Sequence, residues 1–300
     1  MRIDALIIEG PEGFDPTAEI YGYPAIVRQI NTIMLAKPYR LLISGDKSMI
    51  PIVKNCTRLG ADFLYPLRGT VFENSLFFGL KYLQNKCDSV LIAPANYPFI
   101  NTATYRQIME ADAEIAIAAH EGKRGWPVRI PATLINEVLE LGSINELLKK
   151  YEGDVVVIET DDLGVGTDVC ATRFTAKLAK QLSENHSLHK IHPRINLSLS
   201  RENAYYGRGV QQILRLTEET GSTGEMCLMM GMSKTHAAKI LTRMRNEMDD
   251  STAPTLHIPA RGTVITQEGR EYYERFARWQ AKCETFVQQT FDEEFGDFFE

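Results

Sequence analysis

Over the first 120 residues, short apolar runs alternate with segments whose apolar positions recur every three or four residues. The runs are 5–8, 40–44, 89–93 and 113–119, and the amphipathic segments are 25–35, 48–59, 75–83 and 104–111. A short unbroken apolar run suits a strand buried on both faces, and a 3.6-residue period suits a helix with one buried face. Strand and helix in regular alternation predict the α/β class: a Rossmann-like three-layer domain with a mostly parallel sheet covered on both faces. Ligands of such folds sit at the carboxyl ends of the strands, here the loops after Ile8, Ser44 and Ala93.

The pattern changes at Ser183-Glu184-Asn185-His186-Ser187, a polar stretch that interrupts the helical period. It divides the chain into a first domain, 1–183, a linker, 184–193, and a second domain, 194–300. From 194 to 200, Ile195, Leu197 and Leu199 alternate with Arg194, Asn196, Ser198 and Ser200, the pattern of a half-buried strand. A helix with Val210, Ile213, Leu214 and Leu216 on one face follows. Residues 221–248 then parse as a helix, a sharp turn at Gly231-Met232-Ser233, and a second helix that Ser233 caps. Two short apolar segments, 256–259 and 261–266, predict a hairpin, and a long helix starts at Gln267. A strand, three helices and a two-stranded hairpin make the outline of a winged helix.

On the second helix of the 221–248 stretch, Ala237, Ile240, Leu241, Met244 and Met248 form one apolar face. Lys234, Thr235, His236, Lys239, Arg243 and Arg245 stand on or beside the other, with only Glu247 against them. An ordinary pair of packed helices with a solvated face has this pattern, and so does a helix laid among phosphates in the major groove. The winged outline around it favours the groove.

Composition narrows the setting. Three hundred residues exceed what one core usually serves. The chain has no run of about eighteen apolar residues to span a membrane, and it opens directly into a strand pattern. Five scattered cysteines without a CxxC spacing point to a reduced, cytoplasmic setting. A net charge of −6 argues against a general polyanion binder but not against a local basic face. His186, His189 and His192 have no cysteine or carboxylate at ligand spacing and read as loop histidines. Along 269–300, Tyr272, Tyr273, Phe276, Trp279, Cys283, Phe286 and Val287 recur at helical spacing, a core or dimer seam. The acidic, aromatic end from Asp292 to Glu300 is either a frayed terminus or a tether that competes with DNA for the basic helix.

The first 183 residues resemble the MobA-like molybdenum-cofactor nucleotidyltransferases. The likeness rests on the 5–10 strand and loop, Tyr21-Gly22-Tyr23-Pro24, Asn74-Ser75-Leu76 with Gly79-Leu80, Asn96-Tyr97-Pro98-Phe99, Arg124-Gly125-Trp126-Pro127-Val128 and the 161–168 segment. It implies a fold built to join a nucleoside triphosphate to a phosphorylated acceptor. A glycine-rich basic loop would hold the phosphates and two carboxylates would hold magnesium. Carried onto this chain, Gly10, Gly13, Asn74, Ser75, Asn96 and Trp126 fall at nucleotide-binding positions.

Asp168 is the one candidate for catalysis or for a metal, and magnesium is implied only if the site is active. Asn96 stands where the family has a carboxylate, Cys170 replaces a second aspartate, and Trp126 stands where histidine is usual. A neutral amide and a thiol are poor ligands for a hard cation. Between Arg2 and Arg28 there is no Lys or Arg, while Glu9, Glu12, Asp15 and Glu19 are present. Like charges ~4 Å apart repel by about 4 kcal/mol at an effective dielectric near 20, which opposes a triphosphate there. Arg68, Lys123, Arg124, Asp161 and Asp162 are the local candidates to compensate, and they read as surface loop charges.

About 90 residues of the second domain resemble the winged helix-turn-helix of ModE-like, LysR-type molybdate-responsive regulators. Gly207-Arg208-Gly209, Gly221-Ser222, Gly231-Met232-Ser233, Ala237, Asn246 and Thr266-Gln267-Glu268-Gly269 carry this likeness. It implies a homodimer that binds DNA. Ser233 sits at the start of the recognition helix, Lys234, Thr235 and His236 are its base readers, and Lys239 and Arg243 contact phosphates. The wing offers only Arg261 and Gly262. The two resemblances together imply a transcriptional regulator linked to molybdenum-cofactor metabolism, whose inactive transferase-like domain senses a nucleotide or molybdopterin-type molecule. The alternative is a working magnesium-dependent transferase of CTP or GTP to molybdopterin that carries a DNA-binding module.

Overall fold

The computed structural model describes residues 1–45, 49, 60–64, 72–171, 174–248, 256–257 and 264–296. Arg68, Arg261, Gly262, most of the expected 48–59 helix and the acidic end 297–300 lie outside the described residues. The chain divides into two units, Met1–His189 and Lys190–Glu300.

The first unit begins with β1 (Ile3–Ile8), the two-residue strands β2 (Glu19–Ile20) and β3 (Tyr23–Pro24), and α1 (Ala25–Ala36). It continues through β4 (Arg40–Ser44), β5 (Ala61–Leu64), α2 (Phe72–Leu83), β6 (Ser89–Pro94), α3 (Thr102–Glu110), β7 (Ile115–His120) and β8 (Lys123–Pro131). Helices α4 (Ile135–Leu141) and α5 (Ile144–Lys150), strand β9 (Val155–Glu159) and helix α6 (Ala176–Glu184) complete it. Among the described residues, seven strands form one sheet in the order β5-β4-β1-β6-β8-β7-β9. The expected mostly parallel sheet is present, with β8 antiparallel to both neighbours.

β8 was not legible as a strand, because Gly125, Pro127 and Pro131 punctuate it and no alternation marks its faces. Strands β4 and β6 are buried along their whole length, as strands covered on both faces must be, which is why their sequences read as unbroken apolar runs. Helix α1 covers the sheet with Ile26, Ile30 and Ile33, which pack with Ala5, Ile7 and Ile43.

Chain order reverses at β1, where β4 and β5 lie on one side and β6 on the other. Ile8 pairs with Ser44 on one flank and with Pro94 on the other, so the three strands end at one level, where ligands of such folds sit. Residues 184–189, read from their polarity as linker, pack into this unit. Ser187 N donates to Asn101 Oδ1 at 2.7 Å, Thr102 N donates to Ser187 Oγ at 3.2 Å, and His186 is buried with Nε2 3.3 Å from Ile100 O.

The second unit runs β10 (Ser198–Ser200), β11 (Ala204–Gly207), α7 (Arg208–Thr220), α8 (Thr223–Met229), α9 (Lys234–Glu247), β12 (Leu256–His257), β13 (Val264–Ile265) and α10 (Gln267–Phe295). The strand expected over 194–200 is shorter. The half-buried alternation begins at Ile195, but only 198–200 find a partner, because β11 is four residues long. Tyr206, Val210, Leu214, Met244, Met248, Ile265 and Phe276 form the core. The Tyr206 ring meets Tyr272 and Phe276 edge-on at 4.9 and 5.0 Å between centroids. Arg270 pairs with Glu218, and Arg208 with Glu284 at 3.3 Å, so α10 runs antiparallel to α7. Beyond that contact α10 continues with Phe286 64 % and Phe295 46 % exposed. Among the described residues no helix is long and apolar enough to cross a membrane.

Candidate functional site

The segments after β1 and β6 meet at the carboxyl ends of these strands, where Ala95 N donates to Ile8 O at 2.8 Å. Gly10 lets the backbone pack where no side chain fits, since a Cβ there would lie 2.6 Å from the Phe14 ring and 3.1 Å from Asn96 Cβ. The loop is held from behind by Ser75, fully buried on α2, whose Oγ accepts from Glu9 N at 3.1 Å. Asn74 lies in the first turn of the same helix, and Gly13, at φ 83°, forms the exposed tip of the loop.

Asn96 and Asp168, 72 residues apart in sequence, meet here. Asn96 Nδ2 donates to Asp168 Oδ1 at 2.8 Å, Cys170 N donates to the same oxygen at 2.8 Å, and Val169 N donates to Asn96 O at 3.0 Å. The amide N–H group thus points at the carboxylate. This geometry joins the two side chains directly, whereas two carboxylates would need a cation between them.

Two close approaches of backbone bring Asp168 to this place. A Cβ on Gly125 would lie 2.2 Å from Val165 O, and one on Gly164 would lie 2.2 Å from Phe99 O. Only glycine lets the turn 163–166 sit between β8 and the loop after β6. Asp162 anchors the same turn, accepting from Asn101 N (2.7 Å), Asn101 Nδ2 (3.1 Å), Thr104 Oγ1 (2.6 Å) and Gly164 N (3.0 Å). This corrects its reading as a surface charge: the side chain is buried and its oxygens are committed to the fold. Asp161 and Lys123 are exposed. The Cys170 thiol, on an exposed residue, is pushed up to about 11, first by desolvation of its sulfur and then by the Asp168 carboxylate, so it holds its proton at neutral pH.

Trp126 is half-buried and packs at a tilt against Tyr97, with centroids 6.4 Å apart. The two rings line a cavity of about 470 Å³ together with Arg124, Ser143, Asn145 and Lys149. That volume is in the range of small-molecule sites. Its cations are neutralised locally, Arg124 by Glu152 at 2.9 Å and Lys149 by Glu146 at 2.6 Å. Tyr97 belongs to a motif of the family likeness without a site role there, and the α5 residues join it only because the fold brings α5 beside β8. Among the described residues no group of three His, Cys, Asp or Glu side chains converges to hold a metal.

In the second unit, Ser233 caps α9, its Oγ accepting from His236 N at 3.1 Å. Lys234, Thr235, His236, Lys239, Arg243 and Arg245 are exposed, while Ala237, Met244 and Met248 are buried. The helix presents a basic outer face, as its apolar period required.

Comparison with known proteins bears on the first unit. Residues 16–157 match the model of the MobA-like NTP transferase domain. No curated protein matches the chain. A nucleotidyl transferase from Methanothermobacter thermautotrophicus is similar at 16 % identity, over 62 % of this chain and 99 % of its own, with a TM-score of 0.50. The 4-diphosphocytidyl-2C-methyl-D-erythritol synthase of Anaerococcus prevotii is similar at 17 % identity, over 61 % of this chain and 96 % of its own, with a TM-score of 0.52. At such identities the likeness is one of fold. The first unit is thus similar to the MobA-like NTP transferase domain over residues 16–157.

Proposed function

We propose that the protein is a DNA-binding transcriptional regulator linked to molybdenum-cofactor metabolism, in which the NTP transferase domain binds a ligand without transferring a nucleotide. The observation that carries the reading is the face of α9: six polar or basic residues exposed on a capped helix whose other side is buried in the core of the second unit. Helices α7 to α9 and the β12–β13 pair follow the order of a winged helix-turn-helix. In this reading α9 lies in the major groove, with Lys234, Thr235 and His236 at base edges and Lys239 and Arg243 at phosphates. The protein acts as a homodimer through α10, which exposes Trp279, Phe286 and Phe295.

Loss of transferase chemistry is supported by Asn96, which donates to Asp168 and brings no second carboxylate, and by an acidic first loop. Trp126 and Tyr97 offer a ring-bearing ligand a wall to stack on. The test is selection of genomic fragments by the purified full chain. Enrichment upstream of molybdenum-enzyme or cofactor genes is the expected result, and no enrichment would sink the reading.

A second reading is favoured by one observation: Asn96 and Asp168 do converge at the carboxyl ends of the strands. It is a magnesium-dependent transfer of CTP or GTP to a molybdopterin acceptor. Pyrophosphate release that requires magnesium and vanishes in Asp168→Ala would establish it.

A further inference from the structure

We propose that the outer edge of β9 docks an extended protein segment, apolar in its middle and basic at both ends, which adds a strand to the sheet. Among the described residues β9 closes the strand order, with β7 on one side only. Backbone groups of successive residues in a strand turn to opposite sides. Thr160 N donates to Ala119 O at 2.9 Å, which sets the parity. Val156 and Ile158 therefore turn their N–H and C=O toward β7, and Val155, Val157 and Glu159 turn theirs to the open side. There, among the described residues, no hydrogen bond receives them.

Exposed sheet edges are ordinarily guarded by lysine, proline, a bulge or an inward charge. Val155-Val156-Val157-Ile158 has no such residue, and its register with β7 runs unbroken from Ile115 and Val155 to Ala119 and Glu159. The one acid of the strand is turned back, since Glu159 Oε1 accepts from Gly122 N at 3.0 Å. Val156 and Val157 point to opposite faces of the sheet, yet each is 41 % exposed. Apolar area is thus open on both faces beside a row of free donors and acceptors, the form that β-augmentation uses.

Charge selects the occupant. Asp154 before the strand and Asp161 after it are exposed and enter no ion pair among the described residues. They stand roughly 20 Å apart along an extended chain. On the preceding helix Lys149 and Lys150 are held by Glu146 and Glu137, so these cations do not offset them. A second copy laid parallel would set Asp154 beside its counterpart. Laid antiparallel about Val157, it would set its Asp161 opposite Gly153, next to Asp154. Both directions bring like charges together, whereas a segment with Lys or Arg at its ends meets the two acids with opposite charge.

The probe is the capped, fluorescently labelled peptide Lys-Lys-Val-Thr-Val-Thr-Val-Lys-Lys, titrated with the full chain and followed by anisotropy. Saturable binding is expected, weakened roughly tenfold or more by Val157→Lys. Asp154→Lys with Asp161→Lys, both at exposed positions, should weaken it severalfold and favour a peptide with glutamates in place of its lysines. N-methylation separates strand addition from simple adhesion, because only alternate residues of an added strand face β9. Methylating the amides of the valines, or instead those of the threonines, should abolish binding in one case only, and this comparison decides the matter if Val157→Lys fails to fold. No saturation at about 1 mM overturns the proposal. So does unchanged binding in Val157→Lys, or an equal effect of the two methylated peptides. Self-association of the native chain that Val157→Lys abolishes would make a second copy the occupant and overturn it as well.

Discussion

Replacing Asn96 by Asp puts a second carboxylate within hydrogen-bond distance of Asp168, at the place where the native amide donates at 2.8 Å. Two like charges at ~4 Å repel by about 4 kcal/mol at an effective dielectric near 20, so one of the pair stays protonated above its usual range. A raised folded-state carboxyl pKa favours the protonated form, so Asn96→Asp is expected to gain stability as pH falls from 7 to 5. At pH 7 millimolar magnesium should restore several degrees of melting temperature to this variant and none to the native chain. Thermal melts across pH and magnesium check both. Cys170 provides a second test. With its thiol near 11, alkylation by iodoacetamide should be slow at pH 7.5 although the residue is exposed, and the rate should keep rising to about pH 11. A rate that levels off near pH 9 would show an ordinary thiol.

At the scale of elements, glycine and capping residues decide where the functional side chains stand. Gly164→Ala drives a methyl group into Phe99 O and should cost about 1–3 kcal/mol, read as a lower denaturation midpoint. Ser233→Ala removes the cap from α9 and should cost about 1 kcal/mol. Lys239→Ala and Arg243→Ala should leave stability unchanged and each lower the salt slope of DNA binding by about one unit. An unchanged slope in both would contradict the docking of α9. Strands β4 and β6 were legible because burial on both faces forces an apolar run, and α9 because its period separates Ala237 and Met244 from Lys239 and Arg243. β8 was not, since prolines and a glycine mask its pattern, and the cavity beside it needs α5, which no local signal connects to Trp126. The positions of Asn96 and Asp168 stood out, but the bond between them depends on a turn seated by Gly125, Gly164 and Asp162, contacts that sequence spacing does not encode.

At the scale of the molecule, the second unit builds its core on the first part of α10, and further along the helix several aromatic side chains are exposed among the described residues. From Phe276 to Phe295 the helix spans roughly 30 Å at about 1.5 Å per residue, with Trp279, Phe286 and Phe295 exposed and Cys283, Val287 and Phe291 half-buried. Beyond Glu274 its charges are uneven along the axis: Arg275 and Arg278, each paired with a glutamate one turn back, and Lys282 stand first, Glu284 pairs with Arg208, and Asp292, Glu293 and Glu294 stand at the end. Two copies laid antiparallel about a two-fold axis near Phe286 bring each basic segment opposite the partner's acidic one while covering both aromatic stripes. A parallel pair would set like charges together. Sedimentation should therefore show a concentration-dependent dimer that Phe286→Glu dissociates. Arg278→Glu with Lys282→Glu should weaken it at low salt, and adding Glu293→Lys with Glu294→Lys should restore it, because the reversed pairs regain their match only in the antiparallel register. Failure of that rescue, with the native chain dimeric, would exclude this register. A native chain monomeric at every concentration would exclude the seam itself, and with it a two-half-site mode of DNA binding.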